Sequence, residues 1–391
     1  MTVAPLEWLV SCAGYLASLP FRLGAPRHLK PPERILILKP CCIGDVLLAT
    51  PVAVALQRAF PGVRIDWAVG TWSRPMVETN PRLSRVLNAH ELGAGRPSWR
   101  QVRRLTKRVR AELYDTCLVL DRSPVLAAIP WLAGVPQRIG LDSAGRGFCH
   151  HVRIPVRGVR HETDIYLETV RALGAGVQGV QTEFYPTDSD RAAATDLLRT
   201  QLQWSEGEPL FVLHPAGGRN PGAAMVSKRW LPERFAVVAN RLLNEYGGKA
   251  ILLGGPQDRA ILETVRGLIG LKTLAVAGEV AWGVWGALLE KAMLCLGNDT
   301  GATHLAVAVG CKTVFVFGPS DPRRYGPYAR QGQAAALWHP VPGLHHGVHR
   351  GPPKNWTWDE AVSAQEVWHA VQALIGQPGA EAVQAVTNSS A

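Results

Sequence analysis

Residues 294–327 read LCLGNDTGATHLAVAVGCKTVFVFGPSDPRRYGP, and their order of apolar and polar runs decides the fold. Leu294 to Leu296 and Thr313 to Phe317 are short continuous apolar runs, as in strands buried on both faces of a parallel sheet. Between them, Asn298 to Gly301 set small polar residues where a helix begins, and either Asp299 or Thr300 could cap it. A helix start leaves N–H groups unpaired and carries partial positive charge, which suits a phosphate or a sugar hydroxyl. His304 falls in the first turns of the same helix, and a second polar loop, Gly318-Pro-Ser-Asp-Pro322, follows the next strand. Capping alone explains a polar turn. It does not explain the histidine beside it or the second loop. Polar loops at the carboxyl ends of neighbouring strands are where open α/β sheets bind ligands.

The same rhythm extends upstream. Leu210 to Leu213 predict a strand, His214 to Gly218 a glycine-bearing loop, Leu231 to Tyr246 a helix, and Ala250 to Leu253 a strand running into Gly254-Gly255-Pro256. Earlier, Ile35 to Leu38 predict a buried strand, followed by the turn Lys39 to Asp45 and a helix from Val46 to about Phe60. Strands over Val63 to Val69 and Cys117 to Asp121 and a helix over Glu162 to Leu173 continue the alternation. Residues 180–207 read as a break holding a connecting strand and a helix over Asp190 to Leu202. The expected architecture is α/β, with two Rossmann-like parallel-sheet domains over 33–200 and 205–350. Residues 1–32 read as an amphipathic extension, 336–358 as loop, 351–376 as a segment ending in a helix over Ser363 to Ile375, and 377–391 as a disordered tail.

Composition sets the class. The 391 residues are 47% hydrophobic and 19% charged, which excludes wholesale disorder. Much of the net charge of +11 is local, because Arg96, Arg100, Arg103, Arg104, Lys107, Arg108 and Arg110 occur with no acid among them. Val102, Leu105 and Val109 fall at helical spacing there, so a basic amphipathic helix is expected. It is either a solvated surface helix or a face toward anionic lipid or an acidic acceptor. No basic–aromatic module accompanies it, so nucleic acid is not expected. The seven cysteines are odd in number and scattered without a C-x-x-C pair, which favours neither a disulfide framework nor a zinc site and fits a cytoplasmic location. Residues 3–20 lack a basic start and carry Pro5, Glu7 and Pro20, against a signal peptide; they suit an ordinary packing helix or one lying on the inner membrane face.

Asp45 is the strongest catalytic candidate, on the loop leaving the first strand, with Gly44 before it permitting a tight path. It reads either as the N-cap of the helix from Val46 or as a carboxylate able to take a proton from a sugar hydroxyl. Lys228 and Arg229 stand just before a helix start, downstream of Gly217-Gly218, where a cation can neutralise a departing diphosphate. Gly255 and Glu279 are weaker donor-side candidates, the latter by analogy with ribose-binding carboxylates. No dinucleotide fingerprint, Walker loop or zinc-protease pattern occurs, and His345, His346 and His349 lie in a Pro/Gly loop without ligand spacing, so no metal is expected.

Taken in order, Lys39 to Pro51 with its GDVLLATP core, Ser227-Lys-Arg-Trp-Leu-Pro232, Gly297-Asn-Asp-Thr-Gly-Ala-Thr-His304 and Phe317-Gly-Pro-Ser-Asp-Pro322 resemble the bacterial heptosyltransferase family, glycosyltransferase family 9. The resemblance covers roughly residues 33–335. It implies a GT-B fold, with two Rossmann-like domains facing across a cleft, acceptor on the first half and nucleotide-sugar on the second. It implies inverting, metal-independent transfer to a lipopolysaccharide-core or other glycolipid acceptor, with no cofactor beyond the nucleotide-sugar co-substrate, ADP-heptose or another. Under it Asp45 matches the general base, Lys228 the lysine at the donor phosphates, and Asp299 the aspartate on the donor sugar. Thr300, Gly301 and His304 match residues around the diphosphate. His161, within Arg160-His161-Glu162, matches a segment assigned here at most an acceptor contact. The stretch Gly217 to Ser227 is longer than the compact loop of that family. Two other classes fit the same architecture: a sugar-nucleotide epimerase or hydrolase, and a non-catalytic glycan-binding protein.

Overall fold

The computed structural model describes residues 21, 28–90, 92, 98–220, 223–270, 273–278, 280–344 and 356–376. The chain forms two compact units, Met1–Glu183 and Phe184–Ala391. In the first, the order is β1 (Arg34–Leu38), α1 (Ile43–Ala59), β2 (Arg64–Val69), β3 (Arg85–Asn88), α2 (Trp99–Ala111), β4 (Thr116–Val119), α3 (Pro124–Ala133), β5 (Gln137–Asp142), β6 (Val152–Pro155) and α4 (Glu162–Arg171). The sheet order is β3-β2-β1-β4-β5-β6, with every pair parallel. The chain therefore reverses direction across the sheet between β1 and β4. Ligands bind at such a switch point.

The second unit repeats that plan. It runs α5 (Asp188–Gln201), β7 (Leu210–His214), the short pair β8 (Arg219–Asn220) and β9 (Ala223–Ala224), α6 (Pro232–Tyr246), β10 (Lys249–Gly254), α7 (Arg259–Ile269), β11 (Thr273–Ala277) and α8 (Trp282–Lys291). It continues with β12 (Leu294–Asn298), α9 (Gly301–Ala308), β13 (Thr313–Val316), α10 (Pro322–Tyr325), β14 (Ala334–Leu337) and α11 (Ala364–Ile375). Its parallel order, β11-β10-β7-β12-β13-β14, puts the switch point between β7 and β12. The central strands are buried on both faces, as at Leu210–His214 and Leu294–Asn298, which is why Leu210 to Leu213 and Leu294 to Leu296 read as apolar runs.

Several expectations are corrected. The division falls at Glu183/Phe184, earlier than 200–205, because α5 packs on α8, with Arg191 reaching both carboxylate oxygens of Glu290 at 2.8 and 3.0 Å. No strand forms between residues 180 and 187. The loop expected from 336 onward begins as an edge strand, β14. The helix after β1 begins three residues early, with Cys42 as N-cap, so Asp45 is not the cap but the third residue of α1. Pro51 lies inside α1 and supplies no N–H to the Leu47 carbonyl. The Thr50 hydroxyl takes over, donating to that carbonyl at 2.7 Å, which lets the helix pass through the proline. Cys41 and Cys42 are joined by a disulfide, a pairing of adjacent residues that an argument from spaced cysteines does not detect. Cys117, Cys149, Cys295 and Cys311 are free and buried. The expectations for residues 1–20 and 22–27, Glu279, the histidines at 345, 346 and 349, and the tail from 377 lie outside the described residues. No helix among the described residues is long and apolar enough to cross a membrane.

Candidate functional site

In the second unit the candidate residues gather at the carboxyl edge of β7 and β12. Asp299 follows β12 directly and is 5% exposed. Its Oδ2 accepts from Lys228 Nζ at 2.5 Å and from Ser320 Oγ at 2.7 Å, while His304 Nε2 stands 3.9 Å from Oδ1. Burial pushes this carboxyl up, but the Lys228 ammonium, His304 and the two hydrogen bonds outweigh it and hold it below the ordinary aspartate range. Ser320 comes from the second polar loop, so both loops quoted at the outset meet on one carboxylate. Thr300 is the N-cap of α9 and Gly301 its first residue, which leaves the N–H groups of that first turn directed at the same strand edge.

A second set of residues holds this arrangement. Asn298, fully buried, donates to the Ala216 carbonyl at 3.0 Å and accepts from the Trp230 N–H at 2.9 Å. One side chain thereby ties the glycine loop and the Lys228 turn to the end of β12. Gly217 has φ +93°, and a Cβ there would sit 2.3 Å from Thr300 Cγ2, so only glycine lets the loop approach α9 so closely. The long stretch to Ser227 folds back as the β8–β9 hairpin, whose return places the Met225 N–H 2.6 Å from the Gly218 carbonyl. Arg229 turns away from this centre. Its guanidinium donates to the Gly217 carbonyl at 2.9 Å and to Asp258 at 2.7 Å, and Asp258 also accepts from the Gly255 N–H at 3.0 Å. Arg229 and Gly255 thus brace the loop. His214, ending β7, is buried and held neutral by that burial, and its Nδ1 lies 2.8 Å from the Leu253 carbonyl. Trp358 closes the underside, its indole donating to the Ser227 carbonyl at 3.1 Å.

In the first unit the corresponding edge carries Lys39, just after β1, and Asp121, just after β4. The Lys39 ammonium is 3.7 Å from Asp121 Oδ2 and 5.5 Å above the Tyr166 ring, and the residue is 5% exposed. Asp45, half-buried in the first turn of α1 beside Gly44, accepts from the Cys42 N–H at 3.4 Å. His161 is the N-cap of α4, its Nδ1 accepting from the Thr163 N–H at 3.2 Å. The next residue, Glu162, is fully buried and takes two bonds from Arg122 at 2.8 and 2.7 Å. Thr163 donates to the Leu48 carbonyl at 2.8 Å, which fastens α4 to the helix carrying Asp45.

Sequence reasoning missed Lys39, Asp121, Asn298 and Ser320 as members of these clusters. Lys39, Asn298 and Ser320 lie within motifs quoted above and Asp121 ends a predicted strand, and their positions at strand ends were the available signal.

Two parallel six-stranded sheets, each with a polar cluster at its switch point, define a two-domain α/β protein of the doubly wound class. The chain belongs to glycosyltransferase family 9 (heptosyltransferase), whose model matches residues 102–342, more than half of the chain. It is 27% identical over 326 residues to lipopolysaccharide heptosyltransferase 2 of Escherichia coli (strain K12), covering 80% of this chain and 89% of that one. Among solved structures, a glycosyltransferase family 9 protein from Veillonella parvula DSM 2008 shares its fold with a TM-score of 0.74 at 22% identity, covering 90% of this chain and 99% of that one. The E. coli ADP-heptose lipopolysaccharide heptosyltransferase II does so with a TM-score of 0.66 at 21% identity, covering 88% and 98%. The α/β class and the two Rossmann-like parallel-sheet domains expected from the sequence therefore hold. Membership in a glycosyltransferase family also sets aside the epimerase and non-catalytic readings.

Proposed function

We propose that this protein transfers heptose from ADP-heptose to a lipopolysaccharide-core acceptor in a single inverting displacement that needs no metal. The observation that carries the reading is the Lys228–Asp299 contact at 2.5 Å, beside the first turn of α9 at the switch point of the second sheet. A cation and helix N–H groups at that edge suit a diphosphate that gains charge as it leaves. Asp299 keeps Oδ2 on Lys228 and Ser320 and offers Oδ1 to a donor-sugar hydroxyl. Gly217, Gly218, Thr300, Gly301 and His304 line the donor side, with Arg229 and Gly255 acting through the loop they brace. On the acceptor side Asp45 takes the proton of the attacking hydroxyl, whose oxygen bonds the anomeric carbon as the bond to ADP breaks. Gly44 gives the acceptor access to that carboxylate, and His161 fixes the start of α4 beside it. The names of the relatives, which act on lipopolysaccharide with ADP-heptose in the E. coli case, support the choice of donor and acceptor.

Incubation with ADP-heptose and a heptose-deficient lipopolysaccharide core, with and without a chelator, tests the reading. Heptosylated product of inverted anomeric configuration is expected in both tubes. Release of ADP without heptosylated acceptor, or loss of product in chelator, would overturn it.

A further inference from the structure

The α2–α3 edge of the first unit carries a surface that the transfer chemistry does not use. Helix α2 has six cations and no acid between Trp99 and Ala111, and it buries only Val102, Leu105 and Val109. Opposite that buried stripe, Arg100, Arg103, Arg104 and Lys107 fall at i, i+3, i+4 and i+7 and form one exposed ridge. None of the four has an ion-pair partner among the described residues. On one flank, a cavity of about 300 Å³ between α2 and β3 is lined by Arg74, Asn88, His90, Arg104 and Arg108, of which Arg74 pairs with Glu78 and Arg108 with Glu112. On the other flank, Arg110 donates to the Leu132 carbonyl and ties α2 to α3.

Apolar side chains frame this ridge. Trp99 is 78% exposed at the helix start and Leu113 76% exposed just past its end. Trp131 and Leu132, at the end of α3, are 41% and 39% exposed, and Phe21 packs edge-on against Trp131 with ring centroids 4.7 Å apart. A solvated basic helix has no need of exposed tryptophan and leucine at its ends. Cations interleaved with tryptophan and leucine are what a protein resting on an anionic bilayer presents: the cations meet lipid phosphates while indole and leucine enter the headgroup boundary.

We propose that the α2–α3 face docks this protein on an anionic phospholipid bilayer, with the Arg100–Lys107 ridge on the lipid phosphates and Trp99 and Trp131 at the headgroup level. The proposal stands apart from the heptosyl-transfer reading, because its test reads vesicle binding and not turnover.

The full-length chain is sedimented with vesicles of phosphatidylglycerol in phosphatidylcholine and, separately, with pure phosphatidylcholine vesicles. Binding to the anionic vesicles alone, weakened by added salt, is expected. The triple variant Arg100→Gln/Arg103→Gln/Lys107→Gln should lower partitioning roughly 100-fold at unchanged melting temperature. The single change Arg103→Glu, at a solvent-facing position, should lower it roughly 30-fold and repeats the test if the triple variant folds poorly. Trp99→Ala should weaken the binding that persists in high salt. Wild-type partitioning by the charge variants, or equal binding to both vesicle types, sinks the proposal. Displacement by inorganic phosphate at matched ionic strength also sinks it, because the cavity would then be an isolated phosphate site.

Discussion

Lys228 and Asp299, 71 residues apart in the chain, meet at 2.5 Å at the carboxyl edge of the second sheet, with the carboxylate almost fully buried. Replacing Lys228 with Met leaves that carboxylate buried without its main cation. The expected cost lies toward the lower end of the roughly 3–5 kcal/mol typical of breaking a buried pair, since Lys228 is 18% exposed. The Asp299 carboxyl is depressed in the folded chain, so its stabilisation is present above the ordinary aspartate value and lost as pH falls through the folded one. The penalty of Lys228→Met is therefore full at neutral pH and fades in acid. The double variant Lys228→Met/Asp299→Asn should recover most of the urea midpoint at pH 7. Turnover should stay about 10²–10³-fold down in both variants. A double variant no more stable than the single would show that the pair is not coupled.

Asp45 belongs to the first unit and the proposed donor residues to the second. Asp45→Asn keeps the shape and the bond from the Cys42 N–H but removes the basic lone pair. Turnover should fall about 10²–10⁴-fold. Binding of ADP, measured by calorimetry, should not change. Near-normal turnover would remove Asp45 as the base.

Asn298 is fully buried, and two loops of the site hang from it. Asn298→Leu strands the buried Ala216 carbonyl and Trp230 N–H, each at about 1–3 kcal/mol. Asn298→Asp keeps an acceptor for Trp230, but it loses the donor to Ala216 and sets a buried carboxylate oxygen against that carbonyl. Affinity for ADP should fall in both variants, with the KM for the donor rising before kcat falls. Equal donor KM values in all three would show that the loops hold their places without it.

Strands β1, β2, β4, β7, β10, β12 and β13 were legible because burial on both faces leaves apolar runs, as at Leu294–Leu296, whereas β3, β5, β6, β11 and β14 left no run that was recognised. The inward stripe of α2 was legible too, since Val102, Leu105 and Val109 are the three residues it buries. Asp299 and Lys228 could be picked out singly. Their contact could not, because it depends on Asn298 pulling two distant loops to one strand end. The start of α1 was misread because Cys42 is an unusual cap and Asp45 two residues into the helix looks like a good one. Nor did the sequence disclose that the Thr50 hydroxyl serves the carbonyl stranded by Pro51, which is a property of the folded turn. The domain boundary moved because α5 is amphipathic, and only its packing partner decides which unit it joins.

Stability should also respond to two neighbouring histidines, His150 and His151, that take no part in the proposed chemistry. His150 is fully buried against β5, where a Cβ on Gly140 would sit 2.4 Å from its ring, and neither ring nitrogen has a hydrogen-bond partner among the described residues. Burial pushes its pKa down to about 3, with Arg138, Arg153 and His151 adding to the effect. His151 is pushed down to about 4 by burial and by Arg138, whose Nη2 lies 2.6 Å from its Nε2. Both rings are therefore neutral in the folded chain while the unfolded chain protonates below the ordinary histidine value of 6.5. The unfolded state binds more protons across that window, so stability rises with pH there and is lost as pH falls. Each histidine contributes a slope of up to about 1.4 kcal/mol per pH unit. Urea unfolding from about pH 7 down to about pH 4.5 should show that decline, and His150→Leu/His151→Gln should flatten it. A wild-type curve with no slope over that range would mean that one or both rings take up their proton inside the folded unit.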